Sequence, residues 1–152
     1  MIRATKILPI GPVTISEEEG AIVALELSGE RETEISSPLL KRAFAQLEEY
    51  FAGARQAFDL PLSPLGTPFQ RAVWNALLDI PYGQTRSYKD IALAVGRPKG
   101  FRAVGMANNR NPISIFIPCH RVIGANGALV GYGGGLDKKQ FLLNLERKYA
   151  AK

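Results

Sequence analysis

The chain has 152 residues and a net charge of +5, and its 46% hydrophobic and 22% charged residues are typical of a globular protein of one or two small domains. It contains no run of about 18 apolar residues that would span a membrane, and its polar N-terminus does not resemble a signal peptide. The single cysteine excludes an internal disulfide and a cysteine-rich zinc cluster, so we expect a free thiol in a reducing cytoplasm.

Charge is divided unevenly along the chain. Residues 1–65 include six basic and ten acidic residues, a net charge of −4, whereas residues 66–152 include thirteen basic and four acidic residues, a net charge of +9. This division indicates that the second part meets a polyanion. A solvated basic surface would give the same pattern, so charge alone leaves both interpretations open.

The first part of the chain is predicted to form a small antiparallel sheet followed by a helix. Three β-rich segments separated by turn residues predict strands at 2–10, 13–16 and 21–28. Ser37 and Pro38 then supply an N-cap and a proline at the first helical position. The helix that follows presents one apolar face, made of Leu40, Phe44, Leu47 and Phe51.

A helix–turn–helix is predicted in the second part, after a helix at 69–80. Ser87 and Asp90 predict the start of a helix at 88–95, and a turn with glycine and proline separates it from a helix at 101–109. Two short helices joined in this way suit docking on DNA, although helical hairpins are also common elsewhere. Basic side chains that would contact phosphates cluster here: Arg86, Lys89, Arg97, Lys99, Arg102 and Arg110.

The order of these elements predicts an α+β fold. We expect a small N-terminal antiparallel sheet with a helix at 1–58 and a connection at 59–66. A mainly helical domain with the helix–turn–helix and an active-site loop is expected at 67–152.

The only cysteine and the only histidine, Cys119 and His120, are neighbours at the end of a short apolar segment. Residues 113–117 predict a buried strand, residues 124–135 form a glycine-rich loop, and Asp137 is expected to cap a last helix. A lone cysteine is most often a small buried hydrophobe. Here the basic neighbours predict a thiol with a lowered pKa that acts as a nucleophile.

His120 is the candidate base for this nucleophile. It needs an acidic group to orient its ring, and the late candidates are Asp137 and Glu146. Successive side chains on a strand point to opposite faces. His120 would therefore serve Cys119 only if the chain turns at Pro118 or if a water bridges the two side chains.

Four segments carry a resemblance to a known family: GTPFQRAVWNALLDIPYGQTRSY, RAVGMANNRNP, IPCHRVI and GYGGGLDKKQFLLNLE. In order and spacing they resemble the O6-alkylguanine-DNA alkyltransferases, including the active-site pentad PCHRV. The resemblance covers residues 66–146, whereas residues 1–60 agree only in length and coarse pattern. It implies a protein that binds duplex DNA through the minor groove, flips an alkylated guanine into a pocket and takes the alkyl group irreversibly onto Cys119.

The resemblance also implies catalytic roles for five residues. Cys119 is the alkyl acceptor, His120 takes its proton through a water, and Glu146 orients His120. Tyr88 donates a proton toward the guanine ring, and Asn111 joins the recognition helix to the active-site segment. Taken singly, Asn111 would be a turn residue and Glu146 a helix-face ion pair, and only the ordered spacing favours the functional roles.

Further roles implied by the resemblance concern DNA and the flipped base. Arg102 fills the stack that the base leaves, which suits a planar guanidinium, and Ala103 beside it is assigned to DNA binding. The backbone of Val122 and Cys119 reads the exocyclic amine, while Tyr132 and the loop around Gly133 close over the base.

Two departures from the family pattern are visible. Some members have a serine where this chain has Gly133, so only a backbone amide can donate there. Some members bind zinc through N-terminal cysteines and histidines that this chain lacks, so we expect no metal and no cofactor. A monomer that binds double-stranded DNA in the cytoplasm, associated with the nucleoid in a prokaryote, is the expected form.

Three other functions compete with stoichiometric repair. An alkyltransferase-like protein would bind damaged DNA without repairing it, but such relatives lack the acceptor cysteine. A cysteine hydrolase would use Cys119, His120 and Glu146 with repeated turnover. A transcription regulator would use only the helix–turn–helix and would leave the PCHRV pentad without a purpose.

Overall fold

The computed structural model of the protein describes residues 1–151. Its contacts divide the chain into two compact units, one of residues 1–64 with 112–116 and one of residues 65–111 with the remainder. No helix in the described part is long and apolar enough to cross a membrane. An antiparallel sheet with one helix, followed by a mainly helical region, confirms the predicted α+β class.

The first unit is a three-stranded antiparallel sheet covered by a helix. The strands are β1 (Ile2–Leu8), β2 (Gly11–Glu18) and β3 (Ala21–Glu26), in that order across the sheet. The helix α1 (Pro38–Phe51) packs on β1 and β2 through its apolar face. Ser37 caps α1 by accepting a hydrogen bond from the backbone amide of Leu40 at 3.2 Å.

The second unit holds the remaining elements. Its helices are α2 (Pro68–Leu78), α3 (Tyr88–Ala94), α4 (Phe101–Asn109) and α5 (Leu136–Ala150). Two short strands, β4 (Arg86–Ser87) and β5 (Val122–Ile123), pair in parallel, and a 3₁₀ turn at Cys119–Arg121 precedes β5.

Side-chain hydrogen bonds fix the start of α3 and the packing of α2. Ser87 and Asp90 form a reciprocal capping box at the first turn of α3, as the sequence predicts. Trp74, only 2% exposed, donates from its indole nitrogen to the carbonyl of Ala107 at 2.8 Å. This bond joins α2 to α4 and satisfies the polar edge of a buried aromatic ring.

The predicted buried strand at 113–117 is wrong. Most of the segment is buried, but its residues form only isolated bridges, among them the one between Ile113 and Leu25. Ile115 has φ of 71°, a left-handed backbone conformation that breaks any regular strand. Residues 112–116 belong by their contacts to the first unit, in which Ile113 bridges to Leu25.

Smaller differences concern the ends of elements. β1 ends at Leu8 instead of residue 10, because the hairpin turn already contains Ile10. Asp137 does not cap α5: the N-cap is Gly135, with φ of 101° and no side-chain bond, and Asp137 lies in the first turn. There its carboxylate still faces the positive end of the helix dipole.

Candidate active site

Cys119 opens the 3₁₀ turn at Cys119–Arg121 and is 4% exposed. In a 3₁₀ turn, successive side chains are about 120° apart instead of alternating across a strand. The chain therefore turns after Pro118, which is one of the two ways in which His120 could serve its neighbour. It also means that Cys119 begins a turn and does not end a strand.

Burial raises the pKa of the Cys119 thiol above its ordinary value. Hydrogen bonds from the side chains of Asn111 and Tyr132 and the positive charge of Lys139 act in the opposite direction but do not outweigh burial. The prediction of a thiol with a lowered pKa is therefore wrong. At neutral pH the resting thiol keeps its proton, so the sulfur becomes a nucleophile only when a base removes that proton.

His120 is the candidate base for this thiol. It is fully buried, and its Nε2 lies 2.7 Å from Oε2 of Glu146. Burial lowers the pKa of His120 in spite of this carboxylate, so the ring is neutral at pH 7. Because an ionised carboxylate only accepts, Nε2 donates the hydrogen, and the lone pair of the neutral ring is on Nδ1. Nδ1 has no hydrogen-bond partner among the described residues.

Glu146 is ionised because several donors converge on it. Burial alone would raise the pKa of its carboxyl group, but hydrogen bonds from His120 and Arg121, together with the charge of Arg121, hold that pKa well below the usual range. Arg121 donates from Nε to Oε1 at 2.8 Å and from Nη2 to Oε2 at 3.0 Å. The amide of Gly83 donates to Oε1 at 3.3 Å. Glu146, and not Asp137, is thus the residue that orients His120.

The fit around Glu146 requires a glycine at position 83. Gly83 has φ of 78°, and a Cβ added there would lie 2.5 Å from the Cβ of Ala150. This backbone conformation is unfavourable for other residues. It places the amide of Gly83 within reach of the buried carboxylate and joins the end of α2 to α5.

Tyr88 is the first residue of α3 and lies against the glycine-rich loop. Its hydroxyl donates to the carbonyl of Val130 at 2.6 Å. Burial, followed by the effect of Cys119, raises the pKa of Tyr88, so the hydroxyl keeps its proton. The side chain can therefore act as a proton donor, as the sequence analysis expects of it.

Asn108 near the end of α4 and Asn111 just after that helix hold the segment that carries the thiol. Asn111 donates to the carbonyl of Ile117 at 2.8 Å, and it also bonds to the thiol. Asn108, 1% exposed, donates to the carbonyl of Cys119 at 3.3 Å. The two bonds hold the backbone on either side of Pro118, so α4 and the residues that follow it position Cys119.

Comparison with known proteins decides the family. Residues 68–148 match the DNA-binding domain of 6-O-methylguanine DNA methyltransferase, and residues 1–64 match the ribonuclease-like domain of the same family. The chain belongs to this family. It is 55% identical over 150 residues to the constitutive methylated-DNA–protein-cysteine methyltransferase of Bacillus subtilis, with 91% of each chain covered.

Other relatives match the chain along most of their length. The chain is 52% identical over 145 residues to the methylated-DNA–protein-cysteine methyltransferase of Methanosarcina barkeri, covering 91% of this chain and 92% of that one. The crystal structure of Mycobacterium tuberculosis OGT in complex with DNA has a TM-score of 0.88 and 46% identity, covering 97% and 93% of the two chains. The predicted family is confirmed.

The predicted DNA-binding residues of this methyltransferase family member lie on and around α3 and α4. Most of them are exposed: Lys89, Arg97, Lys99, Arg102 and Ala103. Arg86 is half-buried and donates to Gln84 at 3.2 Å, and the guanidinium of Arg97 lies 5.3 Å from the ring centroid of Phe69. Arg102 and Ala103 occupy the first turns of α4 and are available to a ligand.

The predicted base-reading residues differ in their exposure. Val122 is fully buried in β5, so only its backbone is available to a base. Tyr132 is half-buried and bonds to the thiol, which places it in the site. Gly133 is exposed, and a Cβ there would lie 3.6 Å from the carbonyl of Asn109. Among the described residues no group of three or more His, Cys, Asp and Glu side chains could hold a metal.

Three residues of the site were missed by sequence reasoning. In the sequence Arg121 is only one of the basic neighbours of Cys119, and nothing there shows that it binds Glu146. Asn108 and Lys139 lie on helices where polar residues are usually solvent-exposed, yet both are buried. Their burial depends on contacts between distant segments and has no local signal.

Proposed function

We propose that this chain repairs DNA by transferring an alkyl group from O6 of guanine, and from O4 of thymine where that lesion occurs, to Cys119 in a single turnover. The observation that supports this most directly is the series Cys119, His120 and Glu146. A protonated thiol is followed by a neutral imidazole. Its Nδ1 has no hydrogen-bond partner among the described residues, and its Nε2 donates a hydrogen bond to an ionised carboxylate. Members of its family are named for transfer between methylated DNA and a protein cysteine.

The chemical step is a displacement at the alkyl carbon. His120 takes the proton of the Cys119 thiol at Nδ1, directly or through one water, and Glu146 stabilises the imidazolium that results. The sulfur forms a bond to the alkyl carbon while the bond from that carbon to O6 breaks. The electron pair of the broken bond stays with the guanine, and Tyr88 supplies a proton to the ring as that charge develops. The products are S-alkylcysteine and restored guanine.

The reacting base must leave the duplex to reach a thiol that is 4% exposed. We infer that α3 and α4 dock in the minor groove and that Arg102 fills the space in the stack. Exposed basic residues near these helices supply the phosphate contacts. Tyr132, Gly133 and the backbone of Val122 would then contact the flipped base. A monomer in the cytoplasm without cofactor or metal would suffice for this reaction.

Mass spectrometry tests the proposal. The protein is incubated with a duplex containing O6-methylguanine and then digested, and a gain of one methyl group is expected on the peptide that carries Cys119. Cys119→Ser should bind the same duplex without gaining mass. A wild-type protein whose mass does not change would refute the proposal. Repeated turnover on an ester or amide substrate would instead favour a cysteine hydrolase.

A further inference from the structure

Tyr82 is a half-buried tyrosine that the mechanism above does not use. It lies in the turn that follows α2, and the centroid of its ring is 5.7 Å from Cζ of Arg121. A guanidinium within about 6 Å of a ring centroid is attracted by the negative face of the ring, and more strongly where water is excluded. Arg121 is only 7% exposed, so much of this contact is shielded from water.

All three nitrogens of the Arg121 guanidinium also donate hydrogen bonds. Nε and Nη2 donate to the two carboxylate oxygens of Glu146 at 2.8 and 3.0 Å, and Nη1 donates to the carbonyl of Ile80 at 2.7 Å. The N–H groups of arginine point outward in the plane of the guanidinium, in a fixed fork. The contact with the Tyr82 ring uses none of these hydrogens, so it adds to the bonds and does not compete with them.

One short turn, residues 80–83, contacts both members of the Arg121–Glu146 ion pair. Ile80 supplies a carbonyl and Tyr82 a ring to the arginine, while the amide of Gly83 donates to Oε1 of Glu146 at 3.3 Å. The contacts of Ile80 and Gly83 are made by backbone atoms. A substitution at position 82 therefore removes the ring contact and leaves the other two groups in the chain.

The position of the Glu146 carboxylate decides which nitrogen of His120 carries the hydrogen. Oε2 of Glu146 lies 2.7 Å from Nε2 of His120 and accepts from Nη2 of Arg121 at 3.0 Å. A neutral imidazole has two tautomers, and the hydrogen bond at one ring nitrogen selects between them. Because Arg121 and His120 share this oxygen, a displaced guanidinium would move it and weaken the selection.

The Tyr82 ring is neutral at pH 7. The titratable groups that act on its hydroxyl are Glu146, Arg121 and Tyr149. Burial, followed by the negative charge of Glu146, raises the pKa of Tyr82, although Arg121 acts in the opposite direction. A neutral aromatic ring presents a negative face to a cation, so the contact with Arg121 is present at the pH of the reaction.

We propose that Tyr82 is a positioning residue for alkyl transfer: its ring holds the Arg121 guanidinium in place, and through it the Glu146 carboxylate that keeps the hydrogen of His120 on Nε2. This proposal rests on the proposed function, because it assigns Tyr82 to the same reaction. Tyr82 acts through Arg121, so its removal matters much less in a protein that already lacks the guanidinium.

NMR of the His120 ring tests this role directly, because His120 is the only histidine of the chain. With ¹⁵N-labelled histidine at pH 7 and no DNA, the wild type should show an unprotonated Nδ1 and a protonated Nε2. In Tyr82→Leu the two signals should move toward each other, since both tautomers are populated. Tyr82→Phe keeps the ring and should match the wild type. The control, Phe69→Leu, removes another cation–π contact, 5.3 Å from Arg97, and should leave both signals unchanged.

Reaction with free O6-alkylguanine measures the effect on catalysis without contacts to DNA. The single-turnover rate at pH 7 should fall roughly threefold to tenfold in Tyr82→Leu, as expected for the loss of one partly desolvated cation–π contact. It should stay close to wild type in Tyr82→Phe and in Phe69→Leu. In an Arg121→Met background, Tyr82→Leu should have little further effect. If Tyr82→Leu does not fold, Tyr82→Met replaces it in both measurements.

The outcomes separate this proposal from the proposed function. A folded Tyr82→Leu protein whose His120 signals match the wild type would overturn the positioning role. A Tyr82→Phe protein that behaves like Tyr82→Leu would also overturn it, since the hydroxyl and not the ring would then be the acting group. So would an equally large loss of rate in the Arg121→Met background. If the wild-type protein takes no methyl group from DNA, the proposed function fails, whereas the NMR measurement still reports on Tyr82.

Discussion

Replacing Glu146 by glutamine should separate two tasks of the buried carboxylate, orienting His120 and neutralising Arg121. Glu146→Gln keeps the shape of the side chain and removes its charge. Arg121 is 7% exposed and would lose its carboxylate partner, keeping the carbonyl of Ile80 at 2.7 Å and the neutral amide oxygen of the new glutamine as acceptors. Breaking a buried ion pair by removing one partner destabilises a protein by about 3–5 kcal/mol. We expect a loss of that size in the free energy of unfolding.

The rate of alkyl transfer should fall for a different reason. Without an ionised acceptor at Nε2, His120 can adopt the tautomer that carries its hydrogen on Nδ1, where it cannot take the thiol proton. General-base catalysis contributes about 10²–10⁴-fold to a rate. A loss within this range is expected when single-turnover transfer is measured under conditions in which the variant is folded.

The double variant Arg121→Met/Glu146→Gln distinguishes the two effects. It removes the unpaired guanidinium together with the carboxylate, so much of the lost stability should return in urea unfolding. The transfer rate should remain low, because His120 still lacks its carboxylate. A double variant that regains the wild-type rate would refute the orienting role of Glu146. A loss of stability below about 0.5 kcal/mol in Glu146→Gln would refute the coupling between Glu146 and Arg121.

Two further predictions concern Arg102 and the pH dependence of stability. Arg102→Ala should slow repair of a duplex far more than reaction with free O6-alkylguanine, with Arg147→Ala on α5 as the control; equal losses on both substrates would contradict a role in base flipping. Because the pKa of His120 is lowered in the folded protein, the unfolded chain binds the extra proton first. The free energy of unfolding in urea should therefore fall as the pH drops below about 6.5. This dependence on pH should be weaker in His120→Gln. An equal dependence in both proteins would argue against a buried neutral ring.

Local signals in the sequence predict the starts of α1 and α3 correctly. The pairs Ser37–Pro38 and Ser87–Asp90 identify the starts of α1 and α3 because capping depends on residues close together in the chain. The segment 113–117 was predicted wrongly for the opposite reason. Its β-branched residues favour a strand, but Ile115 adopts a left-handed conformation that is rare for a β-branched residue.

In the active site, too, contacts between neighbours in the sequence can be predicted, whereas contacts between distant residues cannot. The adjacency of Cys119 and His120 is readable directly, whereas the partner of His120 lies 26 residues away on another helix. Residue types alone left Asp137 and Glu146 equally possible, and only the resemblance favoured Glu146. The raised pKa of the thiol could not be predicted either, since burial is a property of the folded chain and outweighs the basic neighbours.

Single use follows from what happens to each group in the reaction. In the proposed mechanism His120 and Tyr88 exchange protons, which solvent can restore, and Glu146 stays ionised, so all three return to their starting states. Cys119 ends with a carbon–sulfur bond, and removing the alkyl group would require a second nucleophile to attack it and expel a thiolate. The sequence contains no other cysteine. The neutral imidazole beside the thioether is bonded to Glu146 and oriented to accept a proton. The arrangement that makes the thiol reactive therefore offers no route back.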